Sequence, residues 1–278
     1  IINFAHGDVL MVGALTALSA ILGLQYLFPG MPQWLMLVVA TLIAMPVCAF
    51  LSYGIERVAY RPLRNAPRLA PLITAIGISI ILQTLAMIIW SRNPLIFPTL
   101  LPSSPIDIFS TGAVITGKEI VIIVLSFVVM VGLLLLVNRT KLGRAMRATA
   151  ESPRIASLMG VNPNFVISAT FMIGAALAAV AGVMMATNYG NAHFYMGFIP
   201  GLKAFTAAVL GGIGNLAGAM IGGILLGLIE ALGAGYIGDF TNDVFGSNYQ
   251  DVFAFIVLIV VLVFRPSGIM GERVADRA

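Results

Sequence analysis

Long apolar runs, each about as long as a bilayer is thick, alternate with short polar stretches along this chain. A helical span needs about 20 apolar residues. Seven runs come close to that length: 8–27, 34–55, 69–90, 120–137, 164–187, 216–236 and 250–264. The run 203–213 is apolar but too short to cross alone. At about 1.5 Å per residue it reaches roughly half way, which predicts a half-helix or a re-entrant segment. The pattern predicts an all-α, polytopic membrane protein of about seven to eight spans. All 278 residues then form one transmembrane domain.

Composition agrees. Hydrophobic residues make up 60% of the chain and charged residues 9%, and the mean hydropathy is +1.03. A soluble domain carries about 25% charged residues, so lipid has to solvate most of this surface. The sequence pI near 9.5 therefore points to no nucleic acid. The one cysteine, Cys48, allows no intrachain disulfide, and a lone thiol with two histidines makes no metal site. Residues 1–7 lack the basic region of a cleavable signal peptide. The abrupt opening at Ile1-Ile2-Asn3 carries the expectation that a further N-terminal segment precedes it.

Charge orients the spans. Twelve of the 15 basic residues fall in three stretches: Arg57, Arg61, Arg64 and Arg68; Arg139, Lys141, Arg144, Arg147 and Arg154; and Arg265, Arg273 and Arg277. The positive-inside rule makes loops 56–68 and 138–163 and the tail after 264 cytoplasmic. Loops 28–33, 91–119, 188–201 and 237–249 are then external. The first stretch and the tail read as ordinary membrane anchors.

These directions demand a descent between residues 187 and 237. It falls to the short segment 203–213 and the turn Gly211-Gly212-Ile213-Gly214-Asn215. Broken helices at membrane depth are tolerated only where protein or a water-filled cavity covers the free backbone. In transporters they mark the substrate path. Asn3-Phe4-Ala5-His6-Gly7-Asp8 is a similar polar break before an outward-going span. The two breaks suggest an internal repeat of like orientation. Asn3, Phe4, His6, Gly7, Asp8, Gly211, Gly212, Gly214 and Asn215 are the candidate pathway residues. Asp8 has two readings, a helix cap over free N–H groups and a wall of a polar cavity. Glu230, an intramembrane acid, serves either transport or a structural hydrogen bond.

Two small-residue pairs, Gly218-x-x-x-Gly222 and Gly223-x-x-x-Gly227, predict close helix packing. Gly112-x-x-x-x-Gly117-Lys118-Glu119 nearly spells a phosphate loop, but it lacks the Ser or Thr that binds magnesium and falls on the external side. No nucleophile–base pair is visible, so the chain reads as no enzyme. In loop 138–163, Ser152 before Pro153 signals a helix start. Ile155, Ala156, Leu158 and Met159 give a short apolar face, and Gly160 with Asn162-Pro163 a stop. Such a helix can lie on the membrane surface or dock a partner.

Three motifs carry a resemblance: Ile2-Asn-Phe-Ala-His-Gly-Asp8, Leu142-Gly-Arg-Ala-Met-Arg-Ala148 and Gly201-Leu-Lys-Ala-Phe-Thr-Ala-Ala-Val-Leu-Gly-Gly-Ile-Gly214. With the tail Phe264-Arg-Pro-Ser-Gly-Ile-Met-Gly271, they resemble the permease subunits of branched-chain amino acid ABC importers, the H-type subunit above all. The resemblance implies a half-transporter in a bacterial cytoplasmic (inner) membrane. Its implied partners are a second, related but different permease subunit, two cytoplasmic ATPase subunits and an external substrate-binding protein. It implies no cofactor in this chain, with ATP and magnesium on the ATPase subunits. It makes 151–162 a coupling helix, with Glu151, Ser152, Pro153, Arg154, Ala156 and Gly160 as coupling residues. Only part of the usual Glu-Ala-Ala…Gly coupling pattern is present, since Ser152-Pro153 follows Glu151. A permease for urea, short amides or other amino acids is the alternative within the family. A stand-alone secondary transporter or channel is the alternative outside it.

Overall fold

The computed structural model describes residues 5–271 apart from 65, 68, 103, 108–113, 213, 241–248 and 266. Among the described residues ten α-helices follow one another: α1 (His6–Leu27), α2 (Gln33–Ile55), α3 (Leu69–Ile89), α4 (Gly117–Arg139), α5 (Lys141–Glu151), α6 (Pro153–Leu158), α7 (Pro163–Tyr189), α8 (Phe198–Gly211), α9 (Leu216–Phe240) and α10 (Gln250–Phe264). A π-helical turn, Glu56–Tyr60, extends α2. Six helices among the described residues are long and apolar enough to cross a membrane: α1, α2 with its π turn, α3, α4, α7 and α9. The protein is a multi-pass membrane protein. Two apolar helices among the described residues are shorter than a span. α8 has 14 residues, as the half-helix prediction requires. α10 has 15 residues where the sequence pattern predicts a full span, and at about 1.5 Å per residue it measures only about 22 Å.

The chain forms two compact units, Ile1–Ile199 and Pro200–Ala278. In the first, α1, α2 and α7 make the core. Lipid tails offer helices no hydrophobic drive to associate, so close backbone approach has to hold them. The sequence supplies it as stripes of small residues. On α2 the buried positions Met36, Ala40, Ala44, Cys48 and Ser52 recur every fourth residue. A side chain at Gly13 of α1 would collide with Ala179 of α7, and one at Gly182 with the Leu10 carbonyl. On α3 only Ala75, Ser79, Leu82 and Ala86 are buried, one helical stripe. None of the residues of α4 is buried, so α4 is the outermost helix of this unit.

Loop contacts sort the two ends of the unit as the charge pattern predicts. The antiparallel strands β1 (Leu95–Ile96) and β4 (Asn191–Ala192) pair, and Lys118 Nζ donates to the Asn188 carbonyl at 3.0 Å. Loops 91–119 and 188–192 thus share one end. A second antiparallel pair, β2 (Pro105–Asp107) with β3 (Val114–Thr116), lies in the same loop. At the other end Arg64 reaches Asn164 and Glu56 reaches Ser168. The near phosphate loop is the start of α4 instead, with Thr116 and Glu119 forming a capping box.

In the second unit, α8 and α9 approach through Gly218, which faces the Gly211 carbonyl, and Gly222, which faces the Ala207 carbonyl. The second small-residue pair departs from expectation. A β-carbon on Gly227 would have no neighbour within 4 Å, and one on Gly223 would only touch the Ala207 methyl at 3.8 Å. Both project from the exposed side of α9.

Candidate functional site

Near the chain start, α1 begins at His6, with Ala5 at its N-cap position. Asp8 is therefore a third helical residue, and it is only 1% exposed. It caps nothing, which corrects the cap reading. Its carboxylate instead accepts from Gln83 Nε2 at 2.9 Å, and Gln83 Nε2 also reaches Ser79 Oγ at 3.2 Å. Ser79 is the midpoint of α3, so α1 starts beside the middle of α3 rather than at its end. His6, two positions away, is exposed. The Gly7 carbonyl lies against the Gly197 backbone, where any side chain would collide. Segment 188–201 is thus not wholly external as expected: after β4 it returns inward to Gly7. Asn3 and Phe4 fall outside the described residues.

The second break lies between α8 and α9. Gly212 and Gly214 take φ values of 112° and 97°, a region where a β-carbon is strained. Asn215 caps α9, its Oδ1 accepting from the Gly218 N–H at 2.9 Å. The last carbonyls of a helix lack intrahelical donors. For α8 the tail provides them: Ile269 N–H donates to Leu210 O at 2.9 Å, and Met270 N–H to Gly211 O at 3.0 Å. Asn215 Nδ2 donates to the Met270 carbonyl at 3.1 Å. Gly211 and Gly212 are buried, Gly212 against the backbones of Gly268 and Gly271. The tail is consequently part of the break and more than a membrane anchor.

Glu230 has partners that local pattern does not reveal. Lys203 Nζ of α8 lies 2.9 Å from Glu230 Oε2 of α9 and 2.6 Å from Asp251 Oδ1 of α10. One cation thus joins three helices. The signal for it was a lone lysine inside the apolar run 203–213.

At the basic end of the first unit the sequence predicts one helix within 138–163, and the structure has two. Thr140 starts α5, its hydroxyl accepting from the Gly143 N–H at 3.0 Å. Arg147 of α5 turns back to the carbonyl of Val137 at 3.0 Å and to Asn138 Oδ1 at 2.8 Å, satisfying the C-terminus of α4. Helix α6 then starts with Ser152 accepting from the Ile155 N–H at 3.4 Å and Pro153 in its first turn. Gly160 at φ 82° ends the segment. Asn162 caps α7, accepting from Asn164 N at 3.1 Å and Phe165 N at 3.3 Å. Of the apolar face, Ala156 is buried at 2% exposure, whereas Ile155, Leu158 and Met159 are 62%, 81% and 79% exposed. Glu151 and Arg154 are exposed. An apolar groove of about 320 Å³ between α4 and α7, lined by Ile122, Val129, Val180 and Met184 among others, includes none of these candidates.

The chain matches the family described as branched-chain amino acid transport system / permease component over residues 1–262. It is 48% identical to the high-affinity branched-chain amino acid transport system permease protein BraD of Pseudomonas aeruginosa, covering 99% of this chain and 88% of that protein. It is 42% identical to the corresponding permease protein LivH of Escherichia coli K12, over 99% and 87%. A probable LivH of Methanocaldococcus jannaschii is 28% identical, over 97% and 82%. No solved structure matches the chain.

Proposed function

This chain belongs to the permease components of branched-chain amino acid transport systems, and from that premise we propose the following role. It is the membrane-spanning subunit of an ATP-binding-cassette importer that moves leucine, isoleucine and valine inward across a bacterial cytoplasmic membrane. It is a transport component and not an enzyme. ATP and magnesium belong to two cytoplasmic ATPase subunits, and selection belongs to an external binding protein. A second, related permease subunit completes the path.

The observation that carries this reading is α6. It is a capped helix of six residues at the basic end of the protein. It buries Ala156 in its own chain and turns Ile155, Leu158 and Met159 outward. Apolar side chains held out on a short, stiff helix suit a groove on another protein. Arg154 and Glu151 flank them and suit a polar rim. Closure of the ATPase pair would push α6 and, through the four residues Met159–Asn162, the start of α7. The start of α1 beside the middle of α3 supports a substrate path at that level of the helices. An apolar amino acid needs only weak contacts there, because a deep well slows release.

The test is reconstitution of the full complex in proteoliposomes. Leu158→Asp with Met159→Asp is expected to abolish ATP-driven leucine uptake and retention of the ATPase subunits, while membrane insertion persists. Unchanged uptake would remove α6 from the mechanism. Uptake by this chain alone without ATP would replace the importer with a secondary carrier. Competition by urea or amides rather than leucine would move the substrate to the other small solutes.

A further inference from the structure

Glu56 is a carboxylate buried to 1% exposure at the basic end of the first unit. Burying a charge is costly unless it is paired and hydrogen-bonded, and this one is both. The Arg64 guanidinium forms a close ion pair with Glu56 Oε1. Ser168 Oγ of α7 donates to Glu56 Oε2 at 2.6 Å. The other terminal nitrogen of Arg64, Nη1, donates to Asn164 Oδ1 at 2.6 Å. One planar guanidinium therefore bridges the end of α2 and the first turn of α7.

The backbone is irregular where this happens. Glu56 opens the π-helical turn Glu56–Tyr60, closed by Arg61 N–H to Glu56 O at 2.8 Å. Both ends of this turn meet α7. Glu56 does so through Ser168, and buried Tyr60 does so by packing on Phe171 with ring centroids 5.6 Å apart. On the α7 side, Asn164 stands two residues after the Asn162 cap, and Asn162 directly follows the segment leaving α6. Residues 159–162 connect α6 directly to this turn of α7. Arg64 is the cationic side chain that ties that turn to α2.

We propose that Arg64 is a positioning residue for transport: by bridging Glu56 and Asn164 it passes the movement of α6 to the α2–α7 pair in the core. The proposal rests on α6 being the coupling helix. It assigns the transmission step to a side chain outside 151–162, in the stretch that charge alone marks as a membrane anchor. A purely structural Arg64 would need only to neutralise Glu56. A transmitting Arg64 also needs Asn164. Lysine separates the two roles, since its single nitrogen can pair with Glu56 but cannot replace the two separately placed nitrogens, Nη1 and Nη2, with which Arg64 reaches Asn164 and Glu56.

The experiment measures leucine uptake and ATP hydrolysis side by side in the reconstituted complex. Asn164→Ala removes only an exposed acceptor and leaves the Asn162 cap in place. It is expected to lower uptake per ATP about fivefold, within the range for a residue that carries coupling, with hydrolysis and thermal stability in detergent unchanged. Arg64→Lys should behave alike, and Asn164→Asp, which keeps an acceptor, should restore wild-type coupling. Wild-type uptake per ATP in both Asn164→Ala and Arg64→Lys overturns the proposal and leaves the docking role of α6 standing. Normal ATPase retention and uptake in the Leu158→Asp, Met159→Asp variant would overturn the coupling reading itself, and the proposal with it.

Discussion

The backbone N–H of Ile269 donates to the carbonyl of Leu210 at 2.9 Å, so a tail residue completes a helix that ended 58 residues earlier. Within the second unit, the half-helix α8 depends on this strand of chain for its C-terminal hydrogen bonds. Gly211 and Gly212 are sealed at this break, whereas Gly214 stays exposed.

Ile269→Pro removes that donor and should cost about 1–3 kcal/mol, the penalty of a buried carbonyl left unmade. Ile269→Ala keeps the N–H and should cost less. Thermal unfolding in detergent compares the two. Equal melting temperatures would show that the side chain, and not the hydrogen bond, holds the tail.

Lys203→Met leaves Glu230 and Asp251 facing each other without their cation. Breaking a fully buried pair costs roughly 3–5 kcal/mol. Here the three side chains keep 23%, 16% and 37% exposure, so about 2 kcal/mol is expected after screening. Adding Glu230→Gln and Asp251→Asn should recover most of it. A triple variant that is stable but fails to transport would give the three charges a role beyond holding α8, α9 and α10 together.

Asp8→Ser offers a direct test of why Asp8 is there. Serine caps a helix as well as aspartate does, but it is too short to accept from Gln83. A loss of about 1–3 kcal/mol for a stranded amide is expected, with Asp8→Asn much milder. Indifference to serine would reinstate the cap.

Gly182→Val should disrupt the contact of α1 with α7, because its β-carbon meets the Leu10 carbonyl, at an overpacking cost of about 1–3 kcal/mol or more. Gly227→Val has open space and should fold normally. Yields of folded protein in detergent compare them directly. A Gly227 variant that folds but loses the second permease subunit would assign that face of α9 to assembly.

Much was legible along the chain because the bilayer imposes local rules. Apolar run length marks spans, and clustered arginines mark one side. Ser152-Pro153 and Gly160 begin and end a helix through their own backbone preferences. Each of these signals resides within a few residues. Helix α5 lacked such a signal, being short, basic and without an apolar run, and it is fixed by Arg147 folding back onto α4. Of the two readings of Asp8 the cap fails, because the helix begins at His6, three residues before the Val9 start that a cap at Asp8 requires.

What sequence by itself determined is therefore the membrane class, which loops share an end of the first unit, and the short capped helix at the basic end. Tertiary structure alone decided which partner each costly polar group has. Arg64 and Asn164 are 100 residues apart, Lys203 and Glu230 are 27 apart, and Asn215 and Met270 are 55 apart. A charge buried near lipid must find a counter-charge somewhere, but local periodicity is blind to distance along the chain. The residue that answers it is known only once the helices are packed.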